Sequence, residues 1–163
     1  VDVFEPDEKN HIKCVENLAH FGNIPINLYR EALSDKCGVQ KFISNGLLSA
    51  RLTSKGYTGG DCRDVTLTTL DKCFMDPESP AKVEDNSRLI IKIHVEGAEL
   101  EVLKGAQKLI QAKSPILLIN ISHNIENLFD VPEFLISMKK YRLFLRAHCL
   151  FGEGVTLTAI PQL

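Results

Sequence analysis

The 163-residue chain has a composition typical of one soluble globular domain, with 44% hydrophobic and 25% charged residues. Its 19 basic and 21 acidic residues give a formal net charge of -2, and no basic run stands out, so binding of nucleic acid or an anionic membrane is disfavoured. No stretch reaches the ~20 apolar residues of a membrane span. We expect a single domain over residues 1–163.

Five cysteines are widely scattered and form no Cys-x-x-Cys pair. Neither a disulfide framework nor a thiolate zinc site is indicated, so we expect free thiols in a reducing, cytoplasmic compartment. The chain begins at Val1 rather than at methionine, and "VDVFEP" is already typical of a buried strand. We expect the chain to be N-terminally incomplete, so that a targeting segment would not be observable.

The chain opens with a short strand, and Pro6-Asp7 then begins an amphipathic helix that ends at Gly22-Asn23. The residues expected on its apolar face are Ile12, Val15, Leu18 and Ala19. His11 and His20 also fall on this helix, and we expect both to be solvated.

Three further β-prone runs follow. "INLYREALS" (26–34) predicts a second strand, while "GVQKFIS" and "VTLTTL" predict shorter strands on either side of a loop. That loop, residues 45–64, contains several glycines that neither follow a strand nor open a helix. We expect it to be the most mobile part of the chain and not a phosphate cradle.

The most strongly patterned segment is "IKIHVEGAELEVLKGA" (91–106) with its flanks. Leu89 to Val95 predict a strand covered on both faces, and a helix is predicted from about Gly97 to Ala112. The apolar face of this helix consists of Ala98, Val102, Leu103, Ala106, Leu109 and Ile110. Its charged residues are interpreted as a solvated face on which side-chain ion pairs stabilise the helix weakly: Glu99, Glu101, Lys104 and Lys108.

The remaining segments alternate in the same way. "PILLINIS" (115–122) predicts a buried strand, "PEFLISMKKY" (132–141) a helix, and "RLFLRAHC" with "GVTLTAIP" a closing hairpin. This alternation predicts an α/β fold with a doubly wound, mostly parallel sheet and a C-terminal antiparallel hairpin.

Four segments carry a resemblance to a known family: "VFEPDEKNHIKCVENL", "ALSDKCG", "LIIKIHVEGAELEVLKGAQKLI" and "GVTLTAIP". In them the chain resembles the FkbM family of S-adenosylmethionine-dependent methyltransferases, and the third segment is the most specific. The resemblance implies the Rossmann-like class I methyltransferase fold, with strands ordered 3-2-1-4-5-7-6 and strand 7 antiparallel. It also implies S-adenosylmethionine as cofactor and methyl transfer to a hydroxyl of a sugar, glycan or small metabolite.

The resemblance also assigns site residues. Glu5 closes the second strand of the family's order, where an acid accepts the ribose hydroxyls of a nucleotide-like cofactor; without the family match it reads equally well as a helix-start acid. Ala32, Leu33 and Asp35 follow the third strand, where the adenine ring is contacted. His94 and Glu96 follow the fourth strand and would face the methyl acceptor.

The chain departs from the family pattern in two ways. The glycine-rich turn that holds the methionine part of the cofactor would precede Val1, so strand 1 is expected to be missing and two sheet edges to be exposed. The gap would then be closed by pairing "VDVFE" with "LIIKIHV" or by a strand from a second copy in a homo-oligomer, or the chain would aggregate. In addition, His94 replaces the acid of the family's Asp-Val-Glu-Gly turn, and Asn120 stands where relatives commonly have glutamate.

Three accounts of His94 remain open. It serves as general base for the acceptor hydroxyl, since an imidazole with a pKa near ~6.5 suits proton removal near neutrality. Alternatively the site has drifted, which the missing turn and the two missing acids favour; the chain is then an inactive domain that acts as an interaction or structural module. In the third account His94, His123 and His148 bind zinc, but their spacing resembles no known ligand string, so no metal is predicted.

Overall fold

The computed structural model describes residues 1–43, 51–52, 62–79, 83, 88–148 and 154–162. The chain forms two compact units, Val1–Thr68 and Thr69–Leu163, each of which is described by itself. No helix among these described residues is long and apolar enough to cross a membrane. Most of the 45–64 loop lies outside the described residues, and its described parts belong to strands.

The first unit contains short strands and one α-helix. Its elements are β1 (Asp2–Phe4), α1 (Glu8–Leu18), β2 (Asn27–Tyr29), β3 (Ala32–Leu33), β4 (Gly38–Ile43), β5 (Arg51–Leu52) and β6 (Cys62–Thr68). β1 and β2 pair in parallel, and a second sheet has the order β3-β6-β4-β5. The predicted strand 26–34 is therefore divided into β2 and β3, which belong to different sheets.

Helix α1 begins where the sequence predicted, but a different face of it is buried. The Asp7 carboxylate caps the helix by accepting hydrogen bonds from Lys9 N (2.9 Å) and Asn10 N (3.0 Å). His11 is buried and its Nδ1 lies 3.3 Å from the carbonyl oxygen of Glu5, so the prediction that it is solvated was wrong. Ile12 and Val15, which the sequence placed on the buried face, are instead 51% and 54% exposed.

The second unit contains the four strands that end the chain and most of the helices. Its elements are α2 (Leu70–Met75), β7 (Ile90–Ile93), α3 (Glu99–Lys104), α4 (Gln107–Lys113), β8 (Ile116–Asn120), α5 (Asn127–Ser137), β9 (Tyr141–Ala147) and β10 (Val155–Pro161). "VTLTTL" was predicted as one strand, but its last residue opens α2. The hydroxyl of Thr69 ends the strand by capping this helix at Lys72 N, 3.0 Å away.

The sheet of the second unit has the order β7-β8-β10-β9. β7 and β8 are parallel, whereas β10 runs antiparallel to both of its neighbours, β8 and β9. This is the 4-5-7-6 end of the order expected from the resemblance, and the predicted closing hairpin is confirmed. The doubly wound, mostly parallel sheet is not confirmed, because the described strands form three separate sheets and both four-stranded sheets are of mixed direction. β1 and β7 belong to different sheets, so a direct pairing of "VDVFE" with "LIIKIHV" is not found among the described strands.

The helix predicted from Gly97 to Ala112 is divided at Gly105 and Ala106 into α3 and α4. Its predicted apolar face is nevertheless buried, and five of its residues are at most 1% exposed: Val102, Leu103, Ala106, Leu109 and Ile110. Asp71 stabilises the break. Its carboxylate accepts hydrogen bonds from Lys108 N at 3.0 Å and Leu109 N at 2.8 Å, which satisfies amides that the first turn of α4 leaves unpaired.

We predict that Asp71→Ala lowers the free energy of unfolding by about 1–2 kcal/mol, because a helix start loses its capping carboxylate. Urea unfolding followed by circular dichroism measures the change. Asp130→Ala, which removes an exposed carboxylate from the first turn of α5, is the matched control and should stay within about 0.5 kcal/mol of the parent. Equal effects of both substitutions would refute the capping role.

Candidate functional site

The chain leaves β7 through a strained turn. Glu96 has φ 53° and Gly97 has φ 105°, so both occupy the left-handed region. Glycine is required at 97, where a Cβ would also lie 3.3 Å from the side-chain amide nitrogen of Asn124. Glu96 is not glycine, and this conformation costs a side-chain-bearing residue about 1–2 kcal/mol. Strained backbone of this kind is enriched at functional sites.

The strained turn brings Glu96 against two histidines. Its Oε1 lies 3.3 Å from Nε2 of His94 and 3.3 Å from Nε2 of His123. The two imidazole rings have centroids 4.9 Å apart and are tilted by 45°. His94 follows β7 and His123 follows β8, and because these strands are parallel neighbours their carboxyl ends meet at one edge of the sheet. We call His94, Glu96 and His123 the imidazole–carboxylate cluster.

The fully buried carboxylate of Glu99 contacts one histidine of this cluster. Glu99 is 0% exposed, although the sequence pattern placed it on a solvated helix face, so that interpretation was wrong. Its Oε1 accepts a hydrogen bond from Val95 N at 3.1 Å and lies 2.7 Å from His123 Nδ1, and its Oε2 accepts one from Asn127 Nδ2 at 2.6 Å. These groups satisfy the carboxylate, which is what makes its burial tolerable.

The contact with Glu99 sets the state of the His123 ring. A carboxylate is an acceptor, so Nδ1 of His123 carries the hydrogen that it donates to Glu99. In the neutral ring the second nitrogen, Nε2, then presents a lone pair toward Glu96. Two acceptor atoms therefore face each other at 3.3 Å, an arrangement that favours a proton or a cation between them.

The side chain of Asn120 lies beside the two histidines of the cluster. Its Oδ1 accepts hydrogen bonds from Ser122 N (3.1 Å) and Ser122 Oγ (2.7 Å), which orients the amide. The amide nitrogen is thereby directed toward the histidines and lies 3.4 Å from Nε2 of both His94 and His123. The position at which the sequence departs from the family's glutamate thus lies directly beside the cluster.

The residues predicted to hold the cofactor lie in the first unit. Glu5 is half-buried, and its Oε1 accepts a hydrogen bond from Asp7 N at 2.8 Å. Burial raises the pKa of Glu5 in spite of that bond. Ala32 is buried in β3 and Leu33 is half-buried, whereas Asp35 is exposed and accepts the Ser34 hydroxyl at 3.2 Å.

The hypothesis that three histidines bind zinc is changed by the structure, in which Glu96 rather than His148 lies beside His94 and His123. Among the described residues, the group whose side chains could jointly hold a metal ion consists of His94, Glu96 and His123. His148 is exposed and its Nε2 lies 3.2 Å from Thr156 Oγ1. Sequence reasoning assigned Glu99 to a solvated helix face and did not consider Asn127. A glutamate in the first turn of a helix after a Glu-Gly turn was the available signal, but it reads equally well as a helix-dipole acid.

Comparison with known proteins agrees with this fold. The family model of the Methyltransferase FkbM domain matches residues 2–148, so the chain belongs to this family. The structure resembles the crystal structure of Methyltransferase FkbM from Methylobacillus flagellatus KT with a TM-score of 0.69 and 20% sequence identity. That likeness covers 98% of this chain but 36% of the other, and at this identity it shows the fold alone. No curated protein matches the chain significantly.

We predict that Glu99→Gln lowers the free energy of unfolding by about 1–3 kcal/mol, because the new amide group must face a hydrogen-bond donor. Chemical unfolding of the purified variant gives the size of the loss. Glu101→Gln neutralises a partly exposed carboxylate on the same helix and should change stability by less than about 0.5 kcal/mol. A Glu99→Gln variant as stable as the parent would show that the three contacts do not hold this region together.

Proposed function

We propose that the chain is a methyltransferase domain that transfers a methyl group from S-adenosylmethionine to a hydroxyl of a sugar or another small metabolite. The family match over residues 2–148 is the observation that carries this proposal. S-adenosylmethionine, when bound, supplies the electrophilic methyl group, and the chain's part is to bind, align and deprotonate the acceptor.

The cofactor would be held by Glu5, Ala32, Leu33 and Asp35. Glu5 Oε1 accepts a hydrogen bond from Asp7 N, and Oε2 would accept a ribose hydroxyl. The raised pKa of this half-buried acid supports the assignment, because perturbed carboxyl groups concentrate at functional sites. Ala32 and Leu33 would contact the adenine through the β3 edge and its following turn.

His94 and Glu96 would face the acceptor. His94 has a side chain 46% exposed, so an acceptor hydroxyl can approach its imidazole directly. Glu96 lies within 3.3 Å of that imidazole and would stabilise positive charge on the ring if it takes up the hydroxyl proton. Proton removal by a positioned side chain typically contributes 10²–10⁴-fold to the rate.

Titration of S-adenosylmethionine into the chain, followed by calorimetry, tests this proposal. We expect binding in the micromolar range, about -8 kcal/mol. Loss of the Glu5 carboxylate in Glu5→Gln should weaken it roughly 10- to 100-fold, because hydrogen bonds to a charged group contribute ~1.5–3 kcal/mol. Absence of heat with the parent chain would instead favour the alternative, a catalytically inactive domain that acts as an interaction or structural module.

The Glu5 carboxyl also predicts a pH-dependent stability. Its pKa in the folded chain is raised, so the native state binds more protons than the unfolded state above the ordinary pKa, and stability falls as pH rises through this window. Glu5→Gln should therefore unfold at a higher temperature than the parent at pH 7, and the difference should shrink as both are acidified below about pH 4.5. Differential scanning calorimetry across this range measures it.

Glu8→Gln provides a control of opposite sign. The hydrogen bond and charge of Arg63 lower the pKa of Glu8, so its stabilising contribution is present above the ordinary pKa and is lost as pH falls through the lowered one. This variant should unfold at a slightly lower temperature than the parent at pH 7. A Glu5 variant that behaves like the Glu8 variant would contradict the assignment of a burial-raised pKa.

A further inference from the structure

We propose that the imidazole–carboxylate cluster, His94, Glu96 and His123, binds a divalent zinc-class cation. One potential ligand atom from each residue lies within 4.8 Å of the other two. Two imidazoles and one carboxylate form a donor set that zinc and neighbouring first-row metals prefer, and three protein ligands leave at least one position open.

The distances in the cluster fit such an ion. Metal bonds of ~2.0–2.1 Å in tetrahedral geometry place neighbouring ligand atoms about 3.3 Å apart. Glu96 Oε1 lies 3.3 Å from Nε2 of His94 and 3.3 Å from Nε2 of His123. Two of the three ligand–ligand distances thus already have the value that coordination requires.

The surroundings supply the orienting contact that metal-bound histidines use. Such histidines commonly donate their second ring hydrogen to a carboxylate, which fixes the tautomer and raises the basicity of the ligating nitrogen. Glu99 stands 2.7 Å from Nδ1 of His123 and is itself fully buried and held by Val95 N and Asn127 Nδ2. Nε2 of His123 is therefore held with its lone pair toward the centre of the cluster.

The charges around the cluster point in the same direction. Glu96 brings a carboxylate oxygen to 3.3 Å from Nε2 of both imidazoles, and the buried carboxylate of Glu99 lies 2.7 Å from Nδ1 of His123. Two acids beside two imidazoles favour a cation at this point.

The open coordination position would face the side from which His94 is exposed. If the proposed methyl transfer is correct, the acceptor hydroxyl would bind there, and the cation would lower the pKa of that hydroxyl in place of the imidazole. This extension rests on the proposed function, whereas metal binding itself does not.

Calorimetric titration of zinc into the chelator-treated, tag-free chain tests the site, with no S-adenosylmethionine present. We expect one ion per chain at micromolar or tighter affinity. His123→Asn and Glu96→Gln should weaken binding at least 100-fold, and Glu99→Gln, which leaves the three ligands in place but disturbs the carboxylate that orients His123, by 10- to 100-fold. Circular dichroism of each variant confirms that it is folded, and His94→Asn, at an exposed position, repeats the test should His123→Asn fail to fold.

Two further variants separate ligand loss from general damage. His148→Asn removes an imidazole that also follows a strand of the same unit but lies outside the cluster, and zinc affinity should not change. Asn120→Asp is nearly isosteric and replaces the amide nitrogen beside both histidines with a carboxylate oxygen, so it should strengthen binding. Visible absorption of cobalt bound in place of zinc should change in the cluster variants alone.

The proposal is overturned if no stoichiometric binding is detected, or if binding survives both Glu96→Gln and His123→Asn. Dependence on His148 would overturn it as well, because that result assigns the ion to other ligands. Zinc binding without S-adenosylmethionine binding would support the metal site and contradict the proposed methyl transfer, so the failures of the two proposals are distinguishable.

Discussion

The turn after β7 and the helix that follows it depend on the buried carboxylate of Glu99. A carboxylate without water must be surrounded by donors, and here a backbone amide, an imidazole and a side-chain amide supply them. These donors come from the end of β7, from the segment after β8 and from the start of α5. One acid therefore connects three pieces of chain that would otherwise be joined only by apolar packing, and that packing would not fix the rotation of the His123 ring.

Predictions from local sequence pattern succeeded, whereas features that depend on distant contacts were missed. Alternation of strands and helices in the second half was readable because the apolar residues are dense and periodic: Val102, Leu103, Leu109 and Ile110 are all buried as the pattern required. The break at Gly105 was not readable, since it depends on Asp71, more than thirty residues earlier in the chain. In α1 the apolar pattern was misleading, because a polar residue, His11, is buried next to the Glu5 carbonyl while Ile12 and Val15 face outward.

For the site, sequence reasoning placed His94, Glu96 and Asn120 near the methyl-transfer site through the family pattern, but it did not predict the contacts among their side chains. A strand-end position predicts the edge of the sheet at which a residue lies, not the direction of its side chain. That direction came from local features: the left-handed backbone of Glu96, the Ser122 contacts that orient Asn120, and Glu99 behind His123. Charge patterning assigned Glu99 to solvent because an acid in the first turn of a helix is usually exposed, and only the tertiary contacts reverse that expectation.

This chain has His94 where the family's turn has an acid. The replacement changes which ligands the site favours rather than only weakening the site. Two carboxylates beside Glu96 would repel it and would favour protons or hard cations with oxygen ligands, whereas imidazoles with one carboxylate favour borderline transition metals. Glu96 holds its carboxylate at Nε2 of both imidazoles from a left-handed backbone that costs about 1–2 kcal/mol. Glu99 contacts the other ring nitrogen of His123 and fixes its tautomer. The two acids therefore act on opposite nitrogens of one ring, and together they set the orientation of His123 that the proposed cation site requires.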